Sequence, residues 1–157
     1  MKNLSRLVIT ASMALVVVAA ASASSNPWLT SYKDAVTQSK KTGKPIMVNF
    51  TGSDWCHWCI QLDDEVFSKP EFKKWAQKNV VLLELDFPQR KALPAALKKQ
   101  NDELAKKYAS VVPGFPTILF LKPDGSVFGK YGYDPGGAKK WTEMASRLLP
   151  GHKPATR

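Results

Sequence analysis

Two cysteines three residues apart, in Trp55-Cys56-His57-Trp58-Cys59, constrain this chain more than any other feature. They follow a short apolar run, Ile46 to Phe50, that reads as a buried strand. They open a stretch, Cys56 to Phe67, that reads as a helix with Ile60, Leu62, Val66 and Phe67 as core contacts. A C-x-x-C at such a junction carries a redox meaning that the same spacing in a loop lacks. The first turn of a helix presents unpaired backbone N–H groups and the positive end of its dipole, and both favour thiolate over thiol. Thiolate is the attacking species. Cys56 is therefore expected to be the exposed nucleophile, and Cys59, one turn deeper and more shielded, the resolving thiol that closes a Cys56–Cys59 disulfide.

Other readings of the pair compete with this one. A purely structural disulfide would close so short a loop that it stabilises the fold by at most about 2 kcal/mol. A zinc site would draw on Cys56, His57, Cys59 and His152, although His57 sits between the cysteines and His152 lies in the tail. A c-type haem requires histidine directly after the second cysteine, and Ile60 occupies that place. The haem reading is excluded; the other two stay open.

The flanking residues suggest how such a pair is tuned. A protonated His57 beside the thiolate would favour it and make the disulfide more oxidising, whereas a solvated His57 would do little. Trp55 and Trp58 suit an apolar rim for polypeptide substrate, or ordinary core packing. Asp63, four residues after Cys59 and seven after Cys56, shares their helical face and is placed to take a proton from Cys59. Asp64 and Glu65 follow directly, so a solvated acidic run is the competing reading. Further on, Gly114-Phe115-Pro116-Thr117 leads into another apolar run. A proline at a strand's first residue is tolerated because its missing N–H falls outside the ladder. A cis Phe115–Pro116 bond would leave backbone groups free to pair with an extended substrate.

The rest of the chain supplies one α/β domain around this motif. Residues 1–23 read as a secretory signal peptide, with Lys2 and Arg6, an apolar run from Leu7 to Ala20, and a small-residue cut after Ala23. That run is too short to cross a bilayer. Residues 24–157 then form a single domain with a core over about 28–149 and a frayed tail from Pro150. Helices are expected over Trp28–Lys41, stopped by Gly43, then from Pro70 to Lys78, Pro94 to Tyr108 and Ala138 to Leu149. Strands are expected over Val80–Leu85, Thr117–Leu121 and Val127–Tyr133, with a turn at Lys122-Pro123-Asp124-Gly125. Early strands separated by helices should run parallel and the last two should form an antiparallel hairpin. The result is a mixed central sheet covered by helices on both faces.

The formal charge of +10 comes from lysines scattered in pairs, such as Lys73-Lys74 and Lys106-Lys107, mostly on expected helices. Solvated helix faces explain that pattern better than a nucleic-acid stripe, and export makes nucleic acid an unsuitable partner. Peripheral contact with an anionic membrane surface is the most the charge implies.

These residues resemble the thioredoxin superfamily: a strand, W-C-x-x-C, a helix, and later G-F-P-T before a hairpin. The likeness extends to small exported thioredoxin-like disulfide reductases of the DsbH type. It rests on FTGSDWC (50–56), WCI (58–60), DFPQ (86–89), NDELAKKY (101–108), GFP (114–116) and DPGG (134–137). The C-terminal domain of DsbD is also similar, including an acidic residue represented here by Asp63. The resemblance implies a cis Pro116 beside Cys56, with Phe115 and Pro116 contacting substrate. It also implies a periplasmic location and a membrane electron donor of the DsbD type. Two departures stand out. Where thioredoxins carry a buried aspartate in the strand before the motif, this chain has Asn49, which accepts no proton. His57-Trp58 replaces the Gly-Pro of cytoplasmic thioredoxins.

The expectation is an exported thiol–disulfide oxidoreductase, more a reductase than an oxidant, acting on protein disulfides. It needs no cofactor beyond its own disulfide. A dithiol oxidant of the DsbA type and a non-catalytic binding module of the same fold are the alternatives.

Overall fold

The computed structural model describes residues 27–151. The leader over 1–23, its cut after Ala23, and His152 of the zinc alternative lie outside the described residues. From Tyr32 onward the order is α1 (Tyr32–Thr42), β1 (Ile46–Thr51), α2 (His57–Leu62), α3 (Pro70–Asn79), β2 (Val81–Asp86), α4 (Ala95–Lys107), β3 (Thr117–Leu121), β4 (Val127–Tyr131) and α5 (Gly137–Leu148).

The strands form one sheet in the order β2-β1-β3-β4. β1 and β2 are parallel, with Asn49 opposite Glu84 and Thr51 opposite Asp86. β3 runs antiparallel to both β1 and β4, so only the first pair of strands is parallel. β3 starts at the end of the sheet where β1 and β2 finish, since Asp86 lies opposite Thr51 and Thr117 opposite Phe50.

Every residue of β1 is buried, as a strand covered on both faces requires. Alternation assigns the faces. Ile46, Val48 and Phe50 pack with Leu83, Leu85, Leu119 and Leu121 beneath α1 and α4. Met47, Leu82, Ile118 and Phe120 pack with Leu62, Phe67, Phe72 and Trp141 beneath α2, α3 and α5. Asn49 and Glu84 have the parity of Met47 and Leu82, so both point to the second face, the one that carries the cysteine helix.

The helices start and stop where their caps dictate. The Ser31 side chain accepts the N–H of Asp34, so α1 begins at Tyr32 instead of Trp28. The residues before it form a short extension of the sheet: Leu29 bridges Leu83, and Trp28 packs on Phe67 with ring centroids 5.1 Å apart. Gly43 ends α1 at φ 71°, a left-handed conformation that glycine adopts without a side-chain clash. The expected helix over 56–67 is continuous but changes character. After Leu62 it widens into a π-helical turn, Asp63–Phe67, in which Ser68 N–H donates to Asp63 O. Such turns recur at functional sites. Among the described residues, no helix is long and apolar enough to cross a membrane.

Candidate active site

The loop between β1 and α2 delivers the cysteines to the edge of the sheet. Cys56 is the N-cap of α2 and Cys59 lies in its first turn, and the two are joined by a disulfide with Cα atoms 5.2 Å apart. The sulfurs are thus bonded to each other. Cys56 Sγ accepts the backbone N–H of Cys59 at 3.3 Å. The atom that carries charge in a reduced pair therefore already faces the N-terminal donors of an eleven-residue helical stretch, His57–Phe67. The expected difference in access is absent in this oxidised form, for Cys56 is 7% and Cys59 5% exposed. Aromatic residues adjoin the pair in the chain, Trp55 before Cys56 and Trp58 between the two cysteines.

The aromatic surround has two parts. On one side Trp55 lies 6.0 Å from Phe115, which stacks on Phe87 at 5.2 Å, and Trp55 Nε1 donates to Phe87 O at 2.8 Å. On the other side Trp58 stacks on Tyr133 at 5.4 Å, and the Tyr133 hydroxyl donates to Glu65. Trp55 is 40% and Trp58 53% exposed, so both rings form a rim and neither is a core residue. His57 is exposed, with its ring edge-on to Trp58. The Phe115–Pro116 bond is cis, and the Trp55–Phe115 contact brings this segment to the cysteine loop. Ile60, expected in the core, is instead 43% exposed, because the helix turns its apolar side through Cys59, Leu62 and Val66.

Behind the disulfide lies a cavity of about 430 Å3, lined by Cys59, Asp63, Asn49, Glu84 and Lys73 among others. Asp63 is exposed over the residue as a whole, yet it lines this cavity. Burial is the main cause raising its pKa, Asp64 adds to it, and Lys73 opposes.

Two carboxylates fix the approach to Cys56. Asp86 at the end of β2 accepts the N–H of Ser53 at 2.9 Å and its hydroxyl at 2.7 Å, while Lys91 pairs with it from outside. Asp54 accepts the backbone N–H groups of Gln89 and Arg90, and the Gln89 bond is the chief reason its carboxyl stays below the usual range. Sequence reasoning missed both. The available signal was that aspartates beside turns commonly cap backbone N–H groups. Replacing Asp86 with alanine leaves the Ser53 N–H without its partner. The expected loss is about 1–3 kcal/mol, read as a lower melting temperature together with faster amide exchange at Ser53.

A sequence model of the thioredoxin-like family matches residues 27–123. The chain belongs to the thioredoxin-like family. Within that family it is 37% identical over 119 residues to the disulfide bond reductase DsbH of Chlamydia pneumoniae, covering 76% of this chain and 70% of the relative. The solved structure of a DsbH oxidoreductase superposes with a TM-score of 0.74 at 36% identity, covering 80% of this chain and 85% of the other. The thiol:disulfide interchange protein DsbD of Cronobacter sakazakii is 34% identical over 92 residues, which is 59% of this chain and 14% of DsbD. Family membership and the Cys56–Cys59 pair together make the chain a thiol–disulfide oxidoreductase.

Proposed function

We propose that this thioredoxin-like protein is exported by its leader, cleaved after Ala23, and reduces protein disulfides with the Cys56/Cys59 dithiol. The observation that carries the reading is the cap geometry, with Cys56 Sγ at 3.3 Å from the Cys59 N–H. There a thiolate gains a hydrogen bond and the helix dipole. Cys56 thiolate attacks one sulfur of the substrate disulfide, forming a mixed disulfide and releasing a substrate thiolate. Cys59 then loses its proton and attacks Cys56 Sγ, which expels the second substrate thiolate and closes the Cys56–Cys59 bond. The pair itself carries the two electrons, so no bound cofactor is required.

Trp55 and Phe115 on one side, and Trp58 on the other, offer apolar surface to a polypeptide, with Pro116 beside Phe115. His57 adds positive charge at the solvent side whenever it is protonated, and Asp63 sets the charge beside Cys59. The similarity to DsbD supports a membrane donor of that type for returning the pair to the dithiol form.

The deciding measurement is the equilibrium potential of the pair against glutathione. A reductase should lie at about −230 mV or below, and a value near about −120 mV would instead identify a dithiol oxidant. Cys59→Ser should accumulate a mixed disulfide through Cys56, detectable as a covalent adduct lost on reduction; failure to form any adduct would leave a non-catalytic module.

A further inference from the structure

Asn49 cannot take the proton that Cys59 must lose, and its surroundings raise the question of what does. The residue is 5% exposed, and its Oδ1 is, among the described residues, the one buried side-chain oxygen or nitrogen without a hydrogen-bond partner. A buried acceptor of this kind needs a donor. It borders the same cavity as Cys59, Asp63 and Glu84. Glu84 is the direct register partner of Asn49 across the parallel β1–β2 pair. Its side chain is half-buried and forms no ion pair among the described residues. A protonated carboxyl is a donor of the kind Asn49 lacks, and an ionised one is the base that Asn49 cannot be.

We propose that Glu84 accepts the Cys59 thiol proton during resolution, through the cavity that both residues line, replacing the acceptor absent at Asn49. At about 430 Å3 the cavity has room for several water molecules, each occupying roughly 30 Å3, to carry the proton. Cys59 S–H gives its proton to the Glu84 carboxylate, and the resulting thiolate attacks Cys56 Sγ. The mixed disulfide breaks, and the substrate sulfur leaves with the electron pair. When a dithiol donor reduces the pair again, Glu84 returns the proton to the departing Cys59 sulfur.

The groups around Glu84 suit this exchange. Burial is the largest cause pushing its carboxyl up; Asp86 on its own strand and Asp63 on the π-helical turn add to it, and Lys91 opposes. Asp63 is the more exposed of the two cavity carboxyls, and its charge resists ionisation of Glu84. Lys73 from α3 borders the cavity and steadies Asp63. Such a group stabilises the fold while protonated. That contribution is complete below the unfolded glutamate value of about 4.3 and is lost as pH rises through the raised folded value.

The proposal rests on the thiol-exchange reading of the pair, and the test separates the two. Reduced protein is mixed with glutathione disulfide as the probe. The second-order formation of the Cys56 adduct and the first-order resolution by Cys59 are followed by quenching and mass spectrometry from pH 5 to 9. Glu84→Gln should form the adduct at the wild-type rate but resolve it at least about tenfold more slowly at pH 7, with the low-pH limb of the profile gone. Glu84→Asp should restore part of the rate, and Asp63→Asn should move that limb to lower pH without removing it. Glu84→Gln should also melt higher than wild type at neutral pH, a difference that vanishes below about pH 4. A Glu84→Gln profile superimposable on wild type would overturn the assignment, as would loss of the limb in Asp63→Asn alone. No adduct in any variant would instead overturn the exchange reading itself.

Discussion

Serine at position 56 is expected to bring the reduction of insulin disulfides to background while leaving the fold intact. Serine keeps the N-cap role, since its oxygen also accepts a backbone N–H, so α2 should still begin at His57. What it removes is the sulfur that forms the mixed disulfide. A hydroxyl at a helix N-terminus stays protonated at neutral pH and cannot join a disulfide. The measurement is turbidity of reduced insulin under limiting dithiol, with circular dichroism to confirm the fold. Turnover at the wild-type rate would mean that Cys56 is not the nucleophile and that Cys59 attacks substrate directly.

Truncating Trp141 to alanine should give the largest loss of stability. The residue is fully buried, and its ring meets Phe67, Phe72, Trp75 and Tyr131 with centroids 5.2–6.0 Å apart. Its Nε1 donates to Gly132 O at 2.9 Å. Removing a buried indole costs about 3–5 kcal/mol in lost burial and residual cavity, a large share of the roughly 5–15 kcal/mol that a domain has. For a chain of this size that corresponds to a melting point lower by about 10 °C or more. Thermal unfolding checks it; a shift of only a degree or two would show that the neighbouring rings close over the gap. Because Phe67 ends the π-helical turn that begins at Asp63, the variant should also loosen the wall of the cavity behind Cys59.

Much of the redox centre is local in the chain, and the sequence reading captured it for that reason. A cysteine after a strand and before a helix must meet the N-terminal donors of that helix, whatever the rest of the fold does, and Cys59 follows one turn later. The strand at Thr117–Leu121 and the turn at Lys122–Gly125 were legible in the same way, from a β-branched apolar run and from turn residues. Boundaries were less so. Trp28 has helical spacing to Tyr32 and Ala35, but Leu29 pairs with β2 and Ser31 caps the helix, so tertiary pairing outweighed periodicity. Ile60 reads as apolar and therefore buried, yet which side of a helix faces the sheet is settled by packing, not by residue type.

The amino-acid order alone determined that two sulfurs would meet at a helix start, because three-residue spacing on a helix brings them within bonding distance. Only the tertiary structure decided what surrounds them. Glu84 lies 25 positions beyond Cys59, and nothing in a period-two strand pattern says which neighbour it will face. The parallel register that sets it opposite Asn49 is fixed by the pairing of two apolar strands and the helices packed on them, and that same register brings a carboxyl to the cavity where Asn49 offers no proton acceptor.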